Sequence, residues 1–281
     1  MKFDKIKSHA KLNLTLNITG KYLSLHKIES IIMFDSLHDD VFIKKIESKN
    51  HHISFFGKFS NNIGKKNSVF KLLQLLEKKK LLQSKKFHIK INKRIPNKAG
   101  LGGGSMNAAN ILKYFIKKKI IKNKKREIFE ICKLIGSDVI LGLNLKNSIL
   151  NSQNEIKCFS NCKKFYNIIV KPNFGCATKD IYSKVKKFDK PKLNRPNKEM
   201  FDFTYLKNMN NSLEPIVFSK YSKLEKIKLY LENLPKVVFV RMTGSGSALV
   251  AYFLTKESCD KAKKQFDKKY KNIWSIASKT I

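Results

Sequence analysis

Residues 96–115 read PNKAGLGGGSMNAANILKYF, with glycine at 100, 102, 103 and 104. Glycine has no Cβ, so such a backbone takes positive φ and lets a ligand come close. Small and apolar residues follow at helical spacing, and the free N–H groups and positive dipole end of a helix favour an anion. We read a phosphate cradle over Pro96, Asn97, Lys98, Ala99, Gly100, Leu101, Gly102, Gly103, Gly104, Ser105 and Met106, with Ser105 capping the helix. No Gly-Lys-Ser/Thr closes the loop, and no acidic ribose partner and parallel strand follow it, so it is neither a P-loop nor a dinucleotide fingerprint. A purely structural glycine turn is the other reading.

Two charged residues stand out by their surroundings. Asp138 lies inside the apolar run IGSDVILGL at 135–143. A carboxylate there is costly to bury unless it is paired or functional. It is a candidate general base, with a helix cap or structural ion pair as the alternative. Lys11 opens the alternating stretch KLNLTLNI at 11–18. It is a candidate to lower a hydroxyl pKa, keep a carboxylate ionised and offset phosphate charge, or it is one more surface lysine. An oriented hydroxyl, a proton acceptor and positive groups are what phosphoryl transfer requires. Asn13 shares the strand face of Lys11, either to hydrogen-bond a substrate or as a polar residue on a solvent face.

The elements that must position these residues come next. Period-two alternation predicts strands over 11–18, 30–36, 41–46, 52–56 and 87–91, and further strands over 165–170, 236–240 and 247–253. Helical spacing predicts helices over 70–82, after the glycine loop, over 124–134, 179–187 and 256–268, and one or two within 213–234. Residues 189–199 read as a surface loop and 242–246 as a tight turn. A polar break at 151–154 suggests two domains, 1–154 and 155–281. The mixed order of elements favours α+β.

The chain has 281 residues, 42% of them hydrophobic, which permits a packed core. Its net charge is +38, from 59 Lys and Arg against 21 Asp and Glu. Nearly all the basic residues are lysine, spread along the whole chain, with arginine only at 94, 126, 195 and 241. Base reading and bidentate phosphate clamping favour arginine, so a solvated lysine surface is preferred over a nucleic-acid binder. Five cysteines without paired CxxC motifs point to a reduced, cytoplasmic setting. No signal-type segment or apolar stretch near bilayer length is present, so a soluble protein with no membrane partner is expected.

Three segments in order resemble the three motifs of the GHMP kinases: SHAKLNL at 8–14, the Pro96, Gly100-Leu101-Gly102, Ser105 and Ala108-Ala109 pattern, and MTGSGS at 242–247. The strings AKLNL, KRIP and GLGGGS, with GSDV at 136–139, are similar to a branch of that family whose acceptor carries a cytidine diphosphate group. The resemblance implies ATP as donor, Mg²⁺ with it, and a small alcohol as acceptor. It implies an α+β fold in two parts, a ribosomal S5 domain 2-like N-terminal part and a ferredoxin-like C-terminal part, with ATP and substrate in the cleft between them. It gives the catalytic roles to Lys11 and Asp138 and places Lys93 beside the adenine pocket. Asn13, Leu25, His26, Tyr182, Thr243 and Gly244 become substrate residues, although Tyr182 also reads as a packed core aromatic.

The chain departs from the pattern in places. Leu25-His26 stands where the branch has Tyr-His, and leucine does not stack as an aromatic ring does. Ile140 replaces a usual proline, and Asn211-Ser212-Leu213-Glu214 lacks the usual aspartate. No dedicated metal cage is visible, and Ser105 is a candidate Mg²⁺ ligand. A monomer or weak homodimer is expected. Another GHMP kinase and a basic nucleic-acid-binding protein are the competing readings; ATP turnover without nucleic acid separates the last from the others.

Overall fold

The computed structural model describes residues 2–23, 25–122 and 125–281. In chain order the strands and helices are β1 (Asp4–Tyr22), β2 (Leu25–Ile46), β3 (His52–Phe56), α1 (Ser68–Lys78), β4 (Lys86–Asn92), α2 (Gly103–Lys117), α3 (Lys125–Ile135), α4 (Val139–Leu143), β5 (Asn147–Leu150) and β6 (Ile156–Phe159). Then come β7 (Tyr166–Lys171), α5 (Thr178–Ser183), α6 (Phe203–Lys207), α7 (Glu214–Lys220), α8 (Ser222–Glu232), β8 (Phe239–Met242), β9 (Leu249–Phe253), α9 (Lys256–Lys269) and β10 (Trp274–Lys279). These elements make two compact units. One comprises Met1–Ala10, Leu37–Pro96 and Gly102–Leu145; the other comprises Lys11–Ser36, Asn97–Leu101 and Lys146–Ile281.

In the first unit β4 pairs antiparallel with the end of β2, from Asp40↔Asn92 to Ile46↔Lys86, and parallel with β3. α1 starts at Asn67, whose side chain accepts hydrogen bonds from the Val69 and Phe70 N–H groups, the usual satisfaction of open donors at a helix start. Its Val69, Leu72, Leu73 and Leu76 form one buried stripe. They pack with Ile89 and Ile91 of β4 and Ile111, Leu112 and Phe115 of α2 in one apolar core. α4 lies close on α2: a Cβ on Gly142 would come within 2.6 Å of the Ala109 Cβ.

In the second unit the chain order β7, α7–α8, β8, β9, α9, β10 builds an antiparallel sheet in the order β10-β7-β9-β8. This is a split βαβ arrangement of the ferredoxin-like kind. Its core joins Ile168, Val170, Leu249 and Ala251 of the sheet to Leu224, Ile227 and Leu231 of α8 and Phe266 of α9. The start of β2 pairs with β5, and β5 with β6.

Several boundaries differ from the sequence reading. The runs 30–36 and 41–46 are parts of one strand, β2, because the intervening acids are partnered. Asp40 meets Lys5 and Arg94 in ion pairs, and Asp39 is wholly buried with donors around it. Helix 124–134 appears as α3, with Lys124 outside the described residues. The strands β5, β6 and β10 were not predicted; β10 is half-buried throughout most of its length and lacks sharp alternation. Among the described residues no helix is long and apolar enough to cross a membrane.

Candidate active site

The glycine stretch is divided between the units. In the first unit, β4 ends in the lead-in Lys93–Pro96, and the chain re-enters at Gly102 to start α2. Gly102 is the cap residue, with φ +67°, and no side chain caps the helix. Met106 N–H donates to the Gly102 carbonyl at 2.8 Å as the first helical bond. The N–H groups of Gly103, Gly104 and Ser105 therefore lie in the open first turn, the arrangement that suits an anion. Ser105 sits inside that turn and not at the cap, a correction to the sequence reading. The helix starts earlier because Gly102 takes the left-handed conformation. Met106 is fully buried, and Sδ would be 3.1 Å from a Cβ on Gly142, so its side chain serves the core.

Lys93 is 3% exposed and forms an ion pair with Asp39. Asp138 precedes α4 with its backbone already helical (φ −76°, ψ −13°), and its side chain makes no capping hydrogen bond. The helix-cap alternative for this residue is thereby removed. It is half-buried.

In the second unit, Lys11 is 3% exposed, which rules out an ordinary surface lysine. Its Nζ donates to Asn13 Oδ1 at 2.7 Å, and its backbone N–H donates to the Leu101 carbonyl at 3.0 Å. Asn13 is buried as well and donates through Nδ2 to Ser30 Oγ at 2.7 Å, so the solvent-face alternative fails. The Asn13 N–H donates to Thr243 Oγ1 at 3.0 Å, and Thr243 Oγ1 donates to the Gly100 carbonyl at 3.2 Å. Gly100 has φ +74°, and any Cβ there would collide with the Thr243 carbonyl oxygen. Lys11, Asn13, Ala99, Gly100, Leu101, Thr243 and Gly244 are thus assembled within one unit by hydrogen bonds and glycine contacts.

Sequence reasoning gave Asn211 and Glu214 no role, yet they hold the 242–246 turn. Asn211 Nδ2 donates to the carbonyls of Met242 at 2.7 Å and Gly244 at 2.8 Å. Glu214 Oε1 accepts the Met242 N–H at 2.7 Å, and its other oxygen pairs with Lys228. The signal available was an Asn and a Glu three apart at a helix start. Ser212, in place of an aspartate, has its hydroxyl within hydrogen-bond reach of both the Leu16 carbonyl and Asp189 and accepts the Ile18 N–H. Asp189 also accepts the Ile18 N–H, and Glu29 accepts the Lys192 and Leu193 N–H groups. These carboxylates pin the 189–199 loop, which follows the helix that carries Tyr182.

His26 and Tyr182 lie side by side in this unit, with ring centroids 5.3 Å apart and planes tilted by 50°. Both are half-buried, and Tyr182 also packs against the apolar core of this unit. Burial, with the nearby Lys21 charge, holds the His26 imidazole below its usual proton affinity, which favours the neutral ring at neutral pH. Leu25 is 73% exposed.

The GHMP kinases N terminal domain model matches residues 67–145, and the GHMP kinases C terminal model matches residues 185–272. A 4-diphosphocytidyl-2-C-methyl-D-erythritol kinase of Pelagibacter ubique is 54% identical over 277 residues, covering 99% of both chains. One of Buchnera aphidicola is 32% identical over 261 residues, covering 90% of this chain and 86% of its own. Among solved structures, a 4-(cytidine 5'-diphospho)-2C-methyl-D-erythritol kinase superposes with TM-score 0.81 at 21% identity, over 99% of both chains. A homoserine kinase of Cytophaga hutchinsonii superposes with TM-score 0.72 at 16% identity, over all of this chain and 95% of its own. At such identities the structures speak for the fold alone, but the full-length relative and the two family models, matched in chain order, establish that this chain belongs to the GHMP kinases.

Proposed function

We propose that the chain transfers the γ-phosphoryl group of ATP to the 2-hydroxyl of 4-diphosphocytidyl-2-C-methyl-D-erythritol, a step of the non-mevalonate route to isoprenoid precursors. The observation that carries this reading is the 54% identity to a kinase of that name over 99% of the chain. We place a functional boundary at 154/155, between the two family-model matches, while the compact units themselves interleave along the chain.

The roles follow from the chemistry of phosphoryl transfer. The open N–H groups of the first turn of α2 hold the donor phosphates, and Lys93 borders the nucleotide. Asp138 accepts the proton of the acceptor hydroxyl. The acceptor oxygen then bonds to the γ-phosphorus as the bond from phosphorus to the β–γ bridging oxygen breaks, and ADP leaves with that oxygen. Lys11 offsets the charge that builds on the transferring group. Buried beside an amide, its ammonium has few conformations to lose. Asn13, Thr243 and Gly244 orient the acceptor, and Leu25, His26 and Tyr182 receive the cytosine ring.

Among the described residues no group of three or more His, Cys, Asp or Glu could hold a metal ion. The first turn of α2 offers one hard side-chain ligand, the Ser105 hydroxyl, which fits a Mg²⁺ that travels with the nucleotide. Bound there, Mg²⁺ neutralises phosphate charge. The same reading has the chain acting in the cytoplasm as a monomer or weak homodimer, on small molecules and without nucleic acid or membrane; the dispersed lysines support it.

The test is ADP release from Mg-ATP with the cytidyl compound, homoserine or mevalonate offered separately. Turnover with the cytidyl compound alone is expected. Turnover only with another alcohol would move the chain to a different member of the family.

A further inference from the structure

The donor turn has a buried carboxylate beneath it. Asp39, near the middle of β2, is 0% exposed. Its Oδ1 accepts the backbone N–H groups of Arg94 and Ile95, each at 2.8 Å. Its Oδ2 accepts the Asn107 amide at 2.9 Å and the Lys93 ammonium. One side chain therefore grips the lead-in to the glycine stretch and the second turn of α2, on the two sides of the gap that residues 97–101 span. It also fixes where the Lys93 charge lies: a Cβ on Gly103 would be 3.3 Å from Lys93 Nζ.

A bare ammonium at the positive end of a helix is unfavourable, and a bare carboxylate there would repel an arriving phosphate. Each charge makes the other tolerable. We infer that Asp39 is a positioning residue for the phosphoryl donor, acting through Lys93 and the Arg94–Ile95 backbone to set the geometry and charge of the first turn of α2. The inference rests on the reading of that turn as the ATP site.

Asp39→Asn keeps the shape and the two backbone acceptances but removes the charge. The new amide then turns its own N–H groups toward the Lys93 ammonium and the Asn107 amide, so the two contacts made by Oδ2 are lost and the turn loosens. Lys93→Met leaves the carboxylate unpaired beside the phosphates. The double variant removes both charges together, which a buried site tolerates better than either loss alone.

The experiment measures kcat and both KM values for the wild type, the two single variants and the double variant. KM for ATP should rise about tenfold or more in each single variant, and the double variant should be no worse than Lys93→Met. KM for the acceptor should stay within about twofold of wild type in all three. An unchanged KM for ATP in folded Asp39→Asn overturns the inference. So does a double variant whose loss is the product of the single losses, or a parallel rise in both KM values. If Asp39→Asn does not fold, Lys93→Met and the double variant carry the same comparison. Absence of ATP-saturable turnover in the wild type would instead sink the nucleotide reading itself.

Discussion

Two glycine-rich turns are held in opposite ways. The turn that opens α2 leaves its own N–H groups open and is anchored from below by the Asp39–Lys93 pair. The turn between β8 and β9 is instead braced by hydrogen bonds within the second unit. Thr243 N–H donates to the Ala248 carbonyl, Gly246 N–H to the Thr243 carbonyl, and Asn211 clasps two further carbonyls. Composition alone makes the two look alike. The difference is that the first turn presents a row of open donors to a ligand, whereas bonded groups of the second, such as the Thr243 N–H, hold its shape. An ionic anchor under the first turn also sets its charge, which an amide clasp leaves unaltered.

In the proposed function the first turn holds the phosphates and Asp138 removes the proton. Asp138→Asn should therefore separate binding from chemistry. We expect kcat to fall about a thousandfold, in the range of a lost general base, with ATP affinity by calorimetry nearly unchanged. Loss of ATP binding in this variant would mean that Asp138, and not the open turn alone, carries the nucleotide.

Gly100 tests the packing against the clasped turn. Alanine there is strained twice, by φ +74° and by the Thr243 carbonyl oxygen. Unfolding free energy should drop by about 3 kcal/mol. The matched control is Gly64→Ala, where a Cβ meets nothing within 4 Å; its effect should stay within about 0.5 kcal/mol. Equal denaturation midpoints for the two variants would show that the contact with Thr243 is not rigid.

Asn211→Ala opens the clasp itself. Buried carbonyls on Met242 and Gly244 lose a donor, at a cost of about 2–3 kcal/mol. Urea unfolding should register that loss, and KM for ATP should not move, because the first turn is untouched. A raised KM for ATP with unchanged stability would reverse the roles given to the two turns.

Much of this was legible in the sequence because glycine, proline and periodicity act locally. The α2 turn, the 242–246 turn and the core helices all declare themselves that way. Lys11 and Asp138 were visible by type and surroundings, but burial showed that Lys11 is no surface lysine, and the lack of a capping hydrogen bond that Asp138 is no helix cap. Asp39 was hidden for a physical reason. Its four donors come from Lys93, Arg94, Ile95 and Asn107, all more than fifty residues away in the chain, and an Asp-Asp pair inside a strand reads as an interruption. Asn211 was hidden similarly, since its acceptors lie in another strand and turn. β10 escaped because an edge strand needs only one paired side and so tolerates a weak pattern.

The smallest expected effect lies away from both turns. Leu25 is exposed next to His26, which lies against Tyr182. If the three receive a flat base, Leu25→Tyr replaces an aliphatic contact with an aromatic one worth about 0.5–1.5 kcal/mol. KM for the cytidyl acceptor should fall a few-fold while KM for ATP stays fixed. The gain should vanish for an acceptor that lacks the base, since nothing remains for the ring to stack on. An equal gain with and without the base would place the contact on the alcohol part, and an unchanged KM would place Leu25 outside the acceptor site.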